Sequence, residues 1–439
     1  MPDDDKPSVR SVIGLPPEDT LRAWDARGDL ATTVRWAEMW QEEHARAFTV
    51  AKVARLDLLE TIRASIDDAA RNGATFEMWK ERLQPELEKA GWWGRVKDRS
   101  LTGTDAAVMV GPRRLKTIFT TNMRVSRAAS QWARIQRYKG VRPFLRYVTV
   151  GDHKVRWQHR EWHGVILPVD HPWWQQHFPP NGWNCRCTVQ QLDQATMDRR
   201  GWKVSPGPPP ETPPRRFYRP GTKESVLVPG GFDPGWAYNP GMASLRAVGD
   251  KAASSIDAAW KAGNPAAARE TLAELVESRA FDSIVQSYQR LGTDGAPIGR
   301  EDAERTSFPI LAIDDEVRHA IGANTAIARL SADTVAKQFG KRDEIGVDEY
   351  RMAARIAEAP EHRYSDKPRH AVLLGRDGEG RWLHVVVKAT GSGEGLFVQS
   401  VRIAPKDKVA VALARWPAIG SILGALLMPG EDEEDDDAG

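Results

Sequence analysis

The chain has 439 residues, room for two or three domains of ordinary size. With 41% hydrophobic and 28% charged residues, its composition excludes a disordered or fibrous protein. Sixty-two Lys and Arg stand against 60 Asp and Glu, and the net charge of +2 excludes a globally basic nucleic-acid binder while leaving room for a local basic face.

The N-terminal run MPDDDKPSVR has no apolar stretch behind it, so no secretory signal is expected. The most apolar stretch, Trp416 to Met428, is thirteen residues and contains Pro417, short of the roughly 20 that span a bilayer. No membrane partner is expected. The two cysteines, Cys185 and Cys187, are separated by one residue, where a disulfide is strained. The chain therefore reads as one for a reducing cytosol or a large assembly. Fourteen of 17 tryptophans precede residue 237, and five of ten histidines lie between His153 and His177, so the chemistry is regional.

Residues 16–95 read as helical, opened by Pro16 and Pro17. Within Thr49 to Arg71, Val53, Leu56, Leu59, Ile62 and Ile66 recur every three or four residues, one apolar helix face. Asn72-Gly73 stops that helix, and Thr75 caps a second containing Trp79, Leu83 and Leu87. Pro112 opens a third helix reaching about Tyr138. Arg113 to Arg146 holds ten Lys or Arg and no acid. Arg113, Arg114, Lys116, Arg124, Arg127 and Arg134 are the candidate contacts to a phosphate backbone. The alternative is a solvated helix paired with acids from 57–89.

Phe144 to Val155 reads as a short strand pair, with Leu145, Tyr147 and Thr149 on one face. Residues 156–187 lack regular periodicity and look like an irregular knot that needs a staple. Zinc prefers thiolate and imidazole in a tetrahedron. His159, Cys185 and Cys187 are the favoured ligands, with His163 or His171 as the fourth; His159 and His163, four apart, would share a helical turn. A structural zinc would supply folding energy that this Gly/Pro-rich segment lacks. The alternative is histidines and cysteines packed without metal. A hydrolytic zinc site would need a carboxylate base, for which only Glu161 and Asp170 offer themselves between the histidines.

Ten prolines between Pro206 and Pro240 predict an extended linker or arm, whose GWAYNPG end (Gly235 to Gly241) can dock on the first domain. Helix is expected again over 242–292 and over Asp315 to Ala328, Ser331 to Phe339 and Asp348 to Ala359. Three strand-like runs follow: Ala371 to Leu374, Trp382 to Lys388 and Leu396 to Ile403. Helices followed by an antiparallel meander make a small α+β domain. The tail, Glu431 to Asp437, is seven consecutive acids and should be disordered.

The run Asp152, Arg156-x-x-His159, His163-Gly164 and Pro179-Pro-Asn-Gly-Trp-Asn-Cys-Arg-Cys187 resembles the signature of the phage Mu F-like minor head (head morphogenesis) family. Phe48-Thr-Val-Ala, Arg114-Leu115 with Thr121-Asn122, and Arg142-Pro143-Phe144 resemble its upstream elements, so the likeness covers roughly residues 30 to 195. Where Arg156 stands, relatives often carry a cysteine within a C-x-x-C. The resemblance implies a non-enzymatic minor capsid component of the virion head, present in the host cytoplasm during assembly. It implies portal and capsid proteins and phage DNA as partners.

Minor head proteins of this kind often carry a toxin-like extension, and residues 296–412 resemble the Barnase–EndoU–colicin–RelE nuclease fold. Metal-free RNA cleavage needs a base, an acid and cations around the phosphate. Period-2 alternation puts His384 and Lys388 on one strand face and Ser400 and Arg402 on another, and with Lys337 and Lys341 on a helix they could hold host RNA. His319 and His370 are alternatives, and solvent-facing polar residues of a half-buried sheet are the bland reading. The expected fold class is α+β and multidomain. Its parts are a mostly helical head-morphogenesis domain with a His/Cys knot (1–200), a Pro/Gly-rich linker or arm (201–245) and a helical connector (246–295). A nuclease-like α+β domain (296–415) and an apolar stretch with acidic tail (416–439) complete it. The competing function is a purely structural head protein whose C-terminal domain binds DNA, portal or scaffold.

Overall fold

The computed structural model describes residues 21, 24–220, 222, 224–293, 307–339, 344–365, 367–416 and 418–419. Pro16-Pro17, Lys341, most of the apolar stretch 416–428 and the acidic run 431–437 lie outside the described residues. The chain is α+β and divides into two compact units, Met1–Val248 and Gly249–Gly439. Among the described residues no helix is long and apolar enough to cross a membrane.

In the first unit three helices form one core. Helix α1 (Leu56–Arg71) buries Leu59, Ile62 and Ile66. It starts seven residues later than the periodicity predicts: Ala47–Phe48 pairs as a short parallel strand with Asp29–Leu30, and residues 49–55 are turn and irregular chain. Thr75 caps α2 (Phe76–Lys89) as expected, its Oγ1 accepting from Met78 N–H at 3.4 Å. Helix α3 (Pro112–Tyr138) has Pro at its first turn, where the missing N–H is unneeded. Trp79, Leu83, Leu87 and Leu115 pack with the α1 face.

A three-stranded sheet follows, with β1 (Phe144–Val148) between β2 (Ile166–Pro168) and β3 (Thr188–Leu192), antiparallel to both. The expected alternation holds, Leu145, Tyr147 and Thr149 being buried. The expected strand pair up to Val155 does not form. β1 ends at Val148, and the next N–H, Thr149, donates to the His163 ring instead. The proline-rich segment is likewise not a bare linker. It folds as a hairpin of β4 (Arg215–Tyr218) and β5 (Ser225–Val228), with Pro214 before it, Pro220 in its turn and Pro229 after it. Prolines are tolerated there because none has to donate to the ladder. Phe232, Trp236 and Tyr238 then bury into the first unit.

The division between units falls inside α5 (Pro240–Lys261). The second unit adds α6 (Pro265–Glu277) and α7 (Arg279–Thr293) to a six-stranded mixed sheet. Its strands are β6 (Phe308–Ala312), β7 (Ile327–Leu330), β8 (His362–Tyr364), β9 (His370–Arg376), β10 (Trp382–Ala389) and β11 (Leu396–Ala404). The order is β6-β7-β11-β10-β9-β8, and β7 runs parallel to β11. The helix expected over Asp315 to Ala328 stops at Ala320; Gly322 takes φ +64° and the apolar run behind it becomes β7. Helices α8 (Ala332–Phe339) and α9 (Val347–Glu358) lie near their predicted places. Gly375 of β9 faces Ile356 of α9 so closely that a Cβ would sit 2.9 Å from it. On the other face α10 (Lys406–Arg415) packs Val409 against Tyr364, Val372 and Leu374.

A His/Cys centre, a basic helix face and a capped sheet

The PPNGWNCRC string is legible residue by residue. Asn181 is fully buried; its Oδ1 accepts from Tyr147 O–H at 2.9 Å and its Nδ2 donates to the carbonyls of Gln176 and Phe178. A Cβ on Gly182 would lie 2.5 Å from Asp233 Oδ2 and 2.8 Å from Arg156 Nη1, so a side chain there would push that ion pair aside. Asn184 adopts φ +57°, a left-handed conformation that Asn tolerates, and turns Cys185 inward.

That turn delivers Cys185 and Cys187 to one imidazole. His159, on the short helix α4 (Trp157–Trp162), is 2% exposed. Its Nδ1 lies 3.8 Å from Cys185 Sγ and 3.5 Å from Cys187 Sγ, and its Nε2 lies 2.8 Å from the Gly231 carbonyl. The carbonyl can only accept, so Nε2 carries the proton and Nδ1 turns a lone pair to the sulfurs. The Trp162 ring stacks on the imidazole at 4.7 Å. The Cys187 thiol, hydrogen-bonded to Cys185, holds Cys185 well below the usual thiol range, with burial opposing and His159 assisting. Cys187 is correspondingly pushed up, first by Cys185 and then by burial.

The group His159, Cys185 and Cys187 could hold a metal ion, its ligand atoms all lying within 4.8 Å of one another. Two sulfurs and an imidazole nitrogen suit zinc and fill three of its four positions. The expected fourth ligand does not join. The helix ends at Trp162, His163 takes an extended conformation, and Gly164 at φ +87° turns the chain away. His163 Nδ1 accepts from Thr149 N–H at 3.1 Å instead. His171 is used locally, its Nδ1 accepting from Trp173 N–H. Arg156, beside this group, donates to Asp233 Oδ2 at 2.6 Å and to the Trp183 carbonyl at 3.2 Å. Sequence spacing gave no hint of Gly231 or Asp233, which come from 72 and 77 residues away.

Five of the six proposed cations on α3 share one face. At 100° per residue, positions 113, 116, 124, 127 and 134 fall within about 80° of each other along about 32 Å of helix. Arg113, Lys116, Arg127 and Arg134 are exposed and Arg124 is half-buried. Among the described residues none of the five forms an ion pair, so the pairing with acids of 57–89 is absent there. Burial depresses Arg124, and Arg186 and Arg127 depress it further. Arg114 is the exception. It turns inward, its guanidinium 5.2 Å from the Trp92 ring centroid and bonded to the Ala51 carbonyl.

In the second unit, β10 and β11 set His384 opposite Arg402 and Val386 opposite Ser400. Arg402 Nη2 lies 3.0 Å from His384 Nε2, and Tyr364 O–H approaches the same nitrogen at 3.4 Å. A register shift leaves Gln399 without a partner on β10, and Lys388 faces Phe397. Lys388 and Arg402 are exposed, but His384 is 8% exposed in the face that α10 covers. Lys337 is spent on Asp333, 2.7 Å away, and shares no hydrogen bond with the other four. The structure thus gathers His384, Ser400 and Arg402, keeps Lys388 further along the same strand and leaves Lys337 apart.

Residues 60–190 match the family described as Phage Mu protein F like protein. The chain is 36% identical over 249 residues to "Putative capsid assembly protein F" of Escherichia phage Mu, covering 53% of this chain and 55% of that protein. It is 40% identical over 174 residues to the "Mu-like prophage FluMu F protein" of Haemophilus influenzae, covering 39% of this chain and 41% of that one. The chain thus spans about half the length of the curated relatives it matches, or less. No solved structure matches it. The matched span holds His159, Cys185, Cys187 and the whole of α3, so the His/Cys centre and the basic helix both lie in the part of the chain that is similar to the Phage Mu F-like family.

Proposed function

We propose that this chain is a minor component of a phage or prophage head that acts in capsid assembly beside the portal and meets the packaged DNA through α3. The similarity to a protein named for capsid assembly over 53% of the chain carries the assembly role. The unpaired cation row on α3 supports the DNA contact. Its spacing suits a phosphate backbone. In this reading zinc bound by His159, Cys185 and Cys187 is a structural staple. Reversing Arg124, Arg127 and Arg134 to Glu should reduce duplex DNA binding by the full chain and cut the yield of filled heads. The slope of log K against log salt should flatten by about 2.7, roughly 0.9 per lost phosphate contact. Unchanged binding and yield would remove α3 from the DNA contact.

A second reading gives the second unit metal-free ribonuclease activity against host RNA. The observation favouring it is the His384–Arg402 contact across β10 and β11 with Ser400 beside it. Incubating the full chain with labelled RNA in EDTA tests it. Cleavage lost in Lys388→Ala and Arg402→Ala supports an effector; intact RNA leaves the unit a binding module for portal, scaffold or DNA.

A further inference from the structure

The His/Cys centre is enclosed by a segment far from it in sequence. After the β4–β5 hairpin the chain crosses the short His159 helix at Gly230 to Trp236 and attaches through four residues. The Gly231 carbonyl accepts from His159 Nε2–H at 2.8 Å. Asp233 Oδ2 accepts from Arg156 at 2.6 Å and from Trp183 N–H at 2.7 Å. Phe232 packs on Trp162 at 5.3 Å, and Trp236 meets Trp183 edge-on at the same separation. The fit is close. Gly231 takes φ +89°, and a Cβ there would sit 2.6 Å from the Trp162 ring.

Each attachment bears on the centre. A histidine that ligates a metal with one nitrogen commonly donates its other N–H to a carbonyl or carboxylate, which fixes tautomer and ring angle. Gly231 supplies that acceptor. Asp233 holds Arg156 beside the sulfurs and pins Trp183, two residues before Cys185. With two thiolates and a neutral imidazole, a bound zinc ion leaves no net charge at the ligands, so the Arg156 charge needs its own partner, and Asp233 is that partner.

We infer that the Gly230–Trp236 arm is the outer shell of the His159/Cys185/Cys187 centre, so that metal occupancy and docking of the arm are one linked equilibrium. Arg156 and Asp233 are positioning residues in it. This rests on the zinc reading above. Linkage requires reciprocity: whatever factor the docked arm adds to zinc affinity, zinc adds to arm docking.

Zn(II) titration of the full chain against a chromophoric chelator, joined to limited trypsin digestion, tests both directions. The wild type should bind one Zn(II) per chain. Asp233→Ala should bind it tenfold to a hundredfold more weakly, the usual effect of losing an outer-shell partner. Asp233→Asn, which keeps an oxygen for Trp183 N–H but removes the charge, should fall between them. Removing Zn(II) from the wild type should speed cleavage after Arg215 and Arg216, and Asp233→Ala should be cut fast with or without the ion. Far-ultraviolet circular dichroism matching the wild type shows that each variant is folded. Wild-type zinc affinity in a folded Asp233→Ala, or cleavage indifferent to Zn(II), overturns the linkage while leaving the zinc staple standing. Absence of Zn(II) binding by the wild type overturns the zinc staple itself, and the linkage with it.

Discussion

The knot of the first unit and the sheet of the second solve the same problem, holding polar side chains out of water, by different means. In the second unit, regular β pairing sets His384 opposite Arg402, and period-2 alternation does most of the placing. In the knot no periodic element is long enough to place anything. The helix carrying His159 is six residues long, and the two cysteines follow a turn at Trp183-Asn184 in irregular chain. Placement comes from individual side-chain contacts: Asn181 to Tyr147, Asp233 to Arg156 and Trp183, and Gly231 to His159. A lattice of single contacts fixes atoms more specifically than a sheet does, and one lost contact is felt across it.

The largest break in that comparison is expected at Trp162, which stacks on His159 and meets Tyr147, Trp173, His177 and Phe232. Trp162→Ala should destabilise the first unit by about 3–5 kcal/mol, as buried aromatic truncations do, read as a lower urea midpoint in near-ultraviolet circular dichroism. A loss below about 1 kcal/mol would mean that the ring is not central to the knot.

Acid sharpens the comparison next. Burial depresses His177 and His44, both in the first unit, to about 3. Unfolded, each takes a proton near 6.5; folded, neither does until the pH is near 3. The unfolded chain therefore binds more protons between those values, and stability falls as pH drops from 6.5 toward 3. Each histidine contributes up to about 1.4 kcal/mol per pH unit. Replacing His177 by Gln should flatten the urea midpoint's dependence on pH over that window; an unchanged slope would show that His177 does not stay neutral in the fold.

The smallest effect is expected on the sheet. Lys388 is exposed and forms no ion pair among the described residues, so Lys388→Ala should change stability by less than about 0.5 kcal/mol in urea unfolding. A loss of several kcal/mol would place Lys388 in a contact that regular alternation does not foresee.

What could be seen from sequence follows the same division. Helix α3 was readable to its ends, because Pro112 opens it and its apolar positions keep helical spacing for 27 residues. The α+β character of the second unit was also readable, since β9 is a short apolar run, β10 and β11 carry polar residues at alternating positions, and the connections between them contain glycines. Its parallel β7–β11 pairing was not, because strands some 70 residues apart leave no local signal for their register. At the centre, residue type singled out His159, Cys185 and Cys187. Helical spacing then misassigned His163, since it presumes that the helix continues past Trp162. Arg114 was misjudged for a related reason: charge counts do not say which cation turns inward onto Trp92. Gly231 and Asp233 carry no chemistry in sequence and acquire it only when the arm folds back.

The most direct measurement is the metal content of the full chain purified without chelator, beside the same chain carrying Cys185→Ser. A metal-stapled knot predicts one zinc per wild-type chain, none in the variant, and a lower urea midpoint for the variant. A folded wild type that holds no zinc, even after incubation with excess Zn(II), would contradict it and leave the two sulfurs and the imidazole as packing alone.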